Sequence, residues 1–123
     1  WASLSKKTLF IQVPYNQWVM EHQAGVTSIK SEHFESATTV QGKTIVNYND
    51  ATGCIYNTNI TLNLELKNLP ADMQRNIIRH EVGHVLGFDH NSDHRGLMYK
   101  SLGRWEKVKN LITIELNAFR LFY

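Results

Sequence analysis

Cysteine and proline are scarce: one of the first and two of the second stand in 123 residues. Cys54 alone can close no internal disulfide and build no thiolate-rich zinc site. No apolar run approaches the ~20 residues of a membrane-spanning helix, so no membrane span is expected. Charge of one sign is scarce too. The net charge is +2 with neutral histidines and no basic run occurs, so nucleic acid is not expected as a partner. Repeats, low-complexity tracts and linkers are all missing, and one domain is expected over residues 1–123. A hydrophobic fraction of 42% with 20% charged residues is ordinary for a globular chain with one core, and a monomer is expected. The chain opens at Trp1 instead of methionine, which reads as a processed or excised segment.

Along the chain, Thr8–Val13 is β-branched and aromatic and ends at Pro14, which predicts a first strand. Val26, Ile29, Phe34 and Ala37 recur at roughly helical spacing, so a helix is expected over Val26–Ala37. A turn at Gln41–Lys43 leads to a predicted strand over Thr44–Tyr48. After a loop at Asn49–Gly53, Cys54–Tyr56 reads as a short extended piece and Asn57–Asn59 as a turn. Ile60–Leu66 is apolar at every even position and predicts a strand with one buried face. Pro70 and Asp72 mark a helix start. Met73, Ile77, Ile78, Val82, Val85 and Leu86 supply its apolar surface. A last helix is expected from about Trp105 or Thr113, with Leu111, Ile114, Leu116, Phe119 and Phe122 as core candidates.

One stretch on the predicted helix carries chemistry: His80-Glu81-Val82-Gly83-His84-Val85-Leu86-Gly87-Phe88-Asp89-His90. Residues four apart share a helix face, so His80 and His84 can offer two nitrogens to one tetrahedral zinc. Gly87 can end the helix in a left-handed conformation at no steric cost, after which the chain can present His90 as a third ligand. Three neutral imidazoles leave a fourth position open, the mark of a catalytic rather than a structural site. Glu81 stands beside them as a candidate general base. His94 is the competing third ligand, but the offset from Gly87 favours His90. His22, His33 and His94 read as solvated residues, and Cys54 as a quiet buried thiol.

These residues, followed by Met98, resemble the metzincin zinc metalloproteases. HEVGHVLGFDH with GLMY is most similar to the matrixin (matrix metalloprotease) branch in a compact form, over roughly residues 60–99. The resemblance implies an α+β, zincin-like fold. It would have a twisted mixed sheet, mostly parallel with an antiparallel edge strand, a backing helix and an active-site helix. An N-terminal subdomain (1–87) would be followed by a small C-terminal one (88–123) with the Met-turn and final helix. It implies a zinc-dependent endopeptidase with one catalytic Zn2+, a protein or peptide substrate and a secreted location. By element order the edge strand that pairs with substrate falls near Gly53–Tyr56, with Gly53, Cys54 and Ile55 as substrate-binding candidates. Tyr99 is a candidate for the pocket beyond the scissile bond, and Lys100–Trp105 for its wall. Met98 is expected to pack beneath the metal without binding it.

The departures from the family pattern are specific. Asn91 follows the third histidine where matrixins carry serine. Lys100 stands where some relatives have a metal-reaching tyrosine. Asn47–Asn59 contains no histidine and only Asp50 as an acid, so structural zinc or calcium is not expected. The alternative to an enzyme is a catalytically weak zinc-binding module that uses the fold to bind protein.

Overall fold

The structure, a computed structural model, describes residues 10–12, 24–35, 39–101 and 107–123. Strands β1 (Val26–Glu32), β2 (Gly42–Tyr48) and β3 (Ile55–Asn63) precede helices α1 (Ala71–Val85) and α2 (Thr113–Phe122). The sheet order is β1-β3-β2. β3 lies parallel to β1 and antiparallel to β2. Among the described residues this is a small α+β architecture with a mixed three-stranded sheet, and β2 is its antiparallel edge.

The helix expected over Val26–Ala37 is instead strand β1 through Glu32. Four apolar residues at loose spacing fit a helix only weakly, and Val26, Thr27 and Ile29 are β-branched. A continuous parallel register from Val26 opposite Asn57 to Glu32 opposite Asn63 decides the matter. The predicted strand over Thr44–Tyr48 is found, starting two residues earlier, so Gly42 and Lys43 belong to the ladder and not to a turn. Asn57–Asn59 does not turn either; β3 runs unbroken from Ile55. Its far end is shorter than the alternation suggested. The Asn63 side chain accepts from the Glu65 N–H at 3.1 Å, and Leu64–Asn68 coils into a 3-10 segment. Leu66 is buried all the same. The strand expected over Thr8–Val13 falls largely outside the described residues; 10–12 lie in neither helix nor strand.

β2 and β3 form a hairpin whose turn is built by Asn49. Its side-chain oxygen accepts from the N–H groups of Ala51 and Thr52, and its carbonyl accepts from Gly53, which sits at φ +67°. Gly53 and Cys54 are therefore exposed turn residues. The strand bordering the helix is β2, not the Gly53–Tyr56 segment, and Cys54 is not a buried thiol.

α1 begins after Pro70, with Asp72 in its first turn where a carboxylate favours the dipole. It ends in a Schellman motif: Phe88 N–H donates to the Gly83 carbonyl at 3.0 Å and Gly87 N–H to that of His84 at 2.9 Å. Gly87 takes φ +87°, the left-handed conformation that the closure requires. Ile60, Leu66, Ile77, Leu86, Leu97, Met98 and Phe119 form the core. The Phe119 ring lies between those of Phe88 and Tyr123, with centroids 6.4 and 5.2 Å away, and its full burial contributes about 2–3 kcal/mol. Ile114 and Phe122, expected in the core, are exposed, as is Ile78 from the predicted apolar surface of the helix. Asn76 ties α1 to the chain before α2: its Nδ2 donates to the Lys107 carbonyl at 2.9 Å and its Oδ1 accepts from Lys109 N–H at 2.7 Å.

Candidate metal centre

His80 and His84 project from the last two turns of α1, and His90 follows the Schellman turn. Their Nε2 atoms lie 3.1, 3.1 and 3.2 Å apart. Backbone carbonyls set two of the tautomers. His80 Nδ1 is 2.7 Å from the Leu97 oxygen, and His84 Nδ1 is 2.7 Å from the Phe88 oxygen. A ring that donates from Nδ1 carries a bare lone pair on Nε2 when neutral. Lone pairs so close repel one another unless a cation lies between them. Two nitrogens each ~2.0 Å from a tetrahedral zinc stand ~3.3 Å apart, which these separations match closely. The donor set fits one zinc ion, and the two carbonyls are the outer partners that orient such ligands.

Electrostatics point the same way. Burial pushes the His80 imidazole down to about 4, and burial lowers His90 as well. Both rings are thus neutral at neutral pH, the form that binds metal. A stability prediction follows for the zinc-free protein. His80 binds a proton at 6.5 when unfolded but only near 4 when folded. Between these values the unfolded chain holds more protons, so stability falls as pH drops through that window, by up to about 3 kcal/mol. Glu81 is raised by burial and tilts the balance the opposite way. Urea midpoints at pH 7.5 and 4.5 in a Glu81→Gln background, with chelator, measure the histidine effect alone. A flat profile would refute it.

Glu81 is buried at 5% exposure and points at the sheet. Thr44 on β2 donates to its Oε2 at 2.6 Å. Burial raises the Glu81 carboxyl above its ordinary range, and the Thr44 hydrogen bond pulls partly back. Gly42 meets it too: a Cβ there would lie 2.6 Å from Oε1. Two cavities flank the imidazoles. The larger, about 780 Å³, extends over Gly42, Glu81, Ile77, Met73 and Leu69 to Lys100 and Ser101. The smaller, about 350 Å³, runs past Val46, Tyr48 and Asp89. Thr44, His84 and His90 line both.

The outlying candidates lie elsewhere. Gly53 and Cys54 sit in the hairpin turn, and Ile55 opens β3 opposite Tyr48; none of the three lines either cavity. Tyr99 is half-buried, with the Lys109 ammonium 5.9 Å from its ring centroid, and also lines neither. Lys100 and Ser101 do line the larger one; residues 102–106 lie outside the described residues. Met98 is 1% exposed. His94 and His33 are exposed, and His22 lies outside the described residues.

Sequence reasoning missed Glu115. This buried carboxylate on α2 accepts from Met98 N–H (2.7 Å) and Leu97 N–H (3.2 Å), from the Asn91 side chain (2.6 Å) and from Ile112 N–H (3.0 Å). It thereby holds the segment whose Leu97 carbonyl orients His80. Asn91, noted above only as a departure, is the link from His90 to that hub. Its one local signal is an acid in the first turn of a helix.

A helix that offers two imidazoles, a glycine-closed turn that returns a third, and a buried glutamate beside them define a metallopeptidase of the zinc class. A family model described as "YgjP-like, metallopeptidase domain" matches residues 15–113, and the chain belongs to that family. Neither the curated proteins nor the solved structures gave a match.

Proposed function

We propose that the protein is a zinc-dependent endopeptidase, with His80, His84 and His90 holding the ion and Glu81 as general base. The observation that carries this reading is the convergence of three imidazole Nε2 atoms beside a buried carboxylate. Zinc, when bound, supplies a Lewis acid that acidifies water and polarises the peptide carbonyl. Glu81 takes the proton of the attacking water and hands it to the leaving nitrogen. Among the described residues β2 is paired on one edge only, and it runs along both cavities, so an extended peptide can add to it as a further strand. Side chains on one side of the scissile bond would then fall into the larger cavity.

Among metallopeptidases we place the chain nearest the matrixin-type metzincins. The eleven-residue zinc motif and the burial of Met98, next to the carbonyl that holds His80, support that placement. A protein or peptide substrate, a monomeric state and extracellular action belong to the same proposal.

Incubation with a denatured, dye-labelled protein tests it. Cleavage is expected, is lost with chelator and returns with added zinc. Cleavage indifferent to the chelator, or none by the zinc-loaded protein, would sink the reading.

A further inference from the structure

We propose that Thr44 is a positioning residue for Glu81. Its hydroxyl fixes Oε2 and leaves Oε1 as the oxygen that meets the reacting water. This inference rests on the reading of Glu81 as general base, and it follows from how β2 receives that side chain.

A glutamate has three rotatable side-chain bonds, and a carboxylate offers two equivalent oxygens. Helical position alone sets neither the rotamer nor which oxygen faces the reaction. Two residues of the edge strand settle both. Thr44 Oγ1 lies 2.6 Å from Oε2 and 3.3 Å from the Glu81 carbonyl. A hydroxyl has one proton to give, and the shorter, charge-assisted bond to the carboxylate takes it. Gly42 supplies room on the other side, since a Cβ there would stand 2.6 Å from Oε1 and 2.9 Å from Cγ. Among the described residues nothing donates to Oε1, and Glu81 lines the larger cavity together with His80, His84 and His90. One oxygen is therefore held, the other accepts from no described residue, and the residue lines the cavity that the metal ligands share. Thr44 and Gly42 stand two apart on β2, so their side-chain positions share one face of the strand. The spacing delivers both effects to one carboxylate.

The contact also has a geometric consequence for substrate. Thr44 belongs to the strand on which an extended peptide would lie, so the base is referenced to the strand that aligns the scissile bond. Near-attack geometry then depends on a fixed offset within one sheet and not on the helix alone.

The experiment pairs Thr44→Val, which removes the hydroxyl at nearly constant shape, with Thr44→Ser, which keeps it. With quenched fluorescent casein as probe, Thr44→Val is expected to lower kcat by about 10- to 100-fold. KM and zinc content should stay at wild-type values. Thr44→Ser is expected to recover most of the loss, and Thr44→Val should add nothing to Glu81→Gln.

A second readout needs no turnover. In the zinc-free protein, the infrared carboxylate band missing from Glu81→Gln should shift in Thr44→Val and stay in place in Thr44→Ser. Gly42→Ala, with its methyl group in Glu81's place, should shift the same band. An unmoved band in Thr44→Val, or equal kcat in the Val and Ser variants, overturns the inference. Wild-type turnover by Glu81→Gln overturns instead the reading on which it rests.

Discussion

Glu81→Gln is expected to keep its zinc and its fold while losing about 10²- to 10⁴-fold in turnover. The two consequences separate because Glu81 is not one of the three converging imidazoles. Glutamine fills the same volume and can still accept from Thr44, but it cannot carry a proton from water to amine. Stability should hold or rise: burial raises the Glu81 carboxyl, so its charged form is a cost to the folded state at neutral pH. The sign for activity is the reverse. The base must be unprotonated, so kcat should fall on acidification. Metal content, thermal unfolding and kcat measured on one preparation decide the matter. An active Glu81→Gln variant would remove the proposed mechanism, whereas loss of zinc along with activity would make Glu81 a structural residue.

The second large effect is expected at Glu115, which neither holds the metal nor moves a proton in the proposed mechanism. Glu115→Ala leaves the N–H groups of Leu97 and Met98 buried and without an acceptor, and strands the Asn91 amide as well. Each unsatisfied buried donor costs about 1–3 kcal/mol, so a loss of about 3–5 kcal/mol is expected in urea unfolding. Glu115→Gln should be little better, because its amide group turns a donor towards donors. Zinc affinity should fall by about 10-fold or more in whichever variant folds, since the Leu97 carbonyl no longer holds His80 at its angle. Competition with a chromophoric chelator measures this directly. Wild-type affinity in a folded Glu115→Gln would show that the hub serves stability alone.

Much of the centre was legible because it is local. His80, Glu81 and His84 lie within two turns of one helix that Gly87 closes, and there 3.6-residue periodicity turns spacing into geometry. The return to His90 is a Schellman closure that a single glycine announces. What escaped depends on partners distant in the chain. Val26–Glu32 is a strand because β3 is there to pair with it, and its own spacing leaned weakly towards a helix. The alternation of Ile60–Leu66 ran past Asn63, where one side-chain cap ended the strand. Thr44 and Glu81 are 37 residues apart, as are Tyr123 and Leu86, where the tyrosine hydroxyl donates to the carbonyl at the end of α1. No periodicity reports such contacts. The edge strand was placed a full hairpin too late, since element order does not say which arm of a hairpin lies outermost.

The Glu115 hub also imposes an order on biosynthesis. The chain leaves the ribosome from its N-terminal end, so all three imidazoles emerge before the carboxylate that seats the segment between them. Glu115 follows Asn91 by 24 residues, and until α2 has formed, the Leu97 carbonyl has no anchor from which to aim His80. The carbonyl that orients His80 is thus held in place only once α2 has docked.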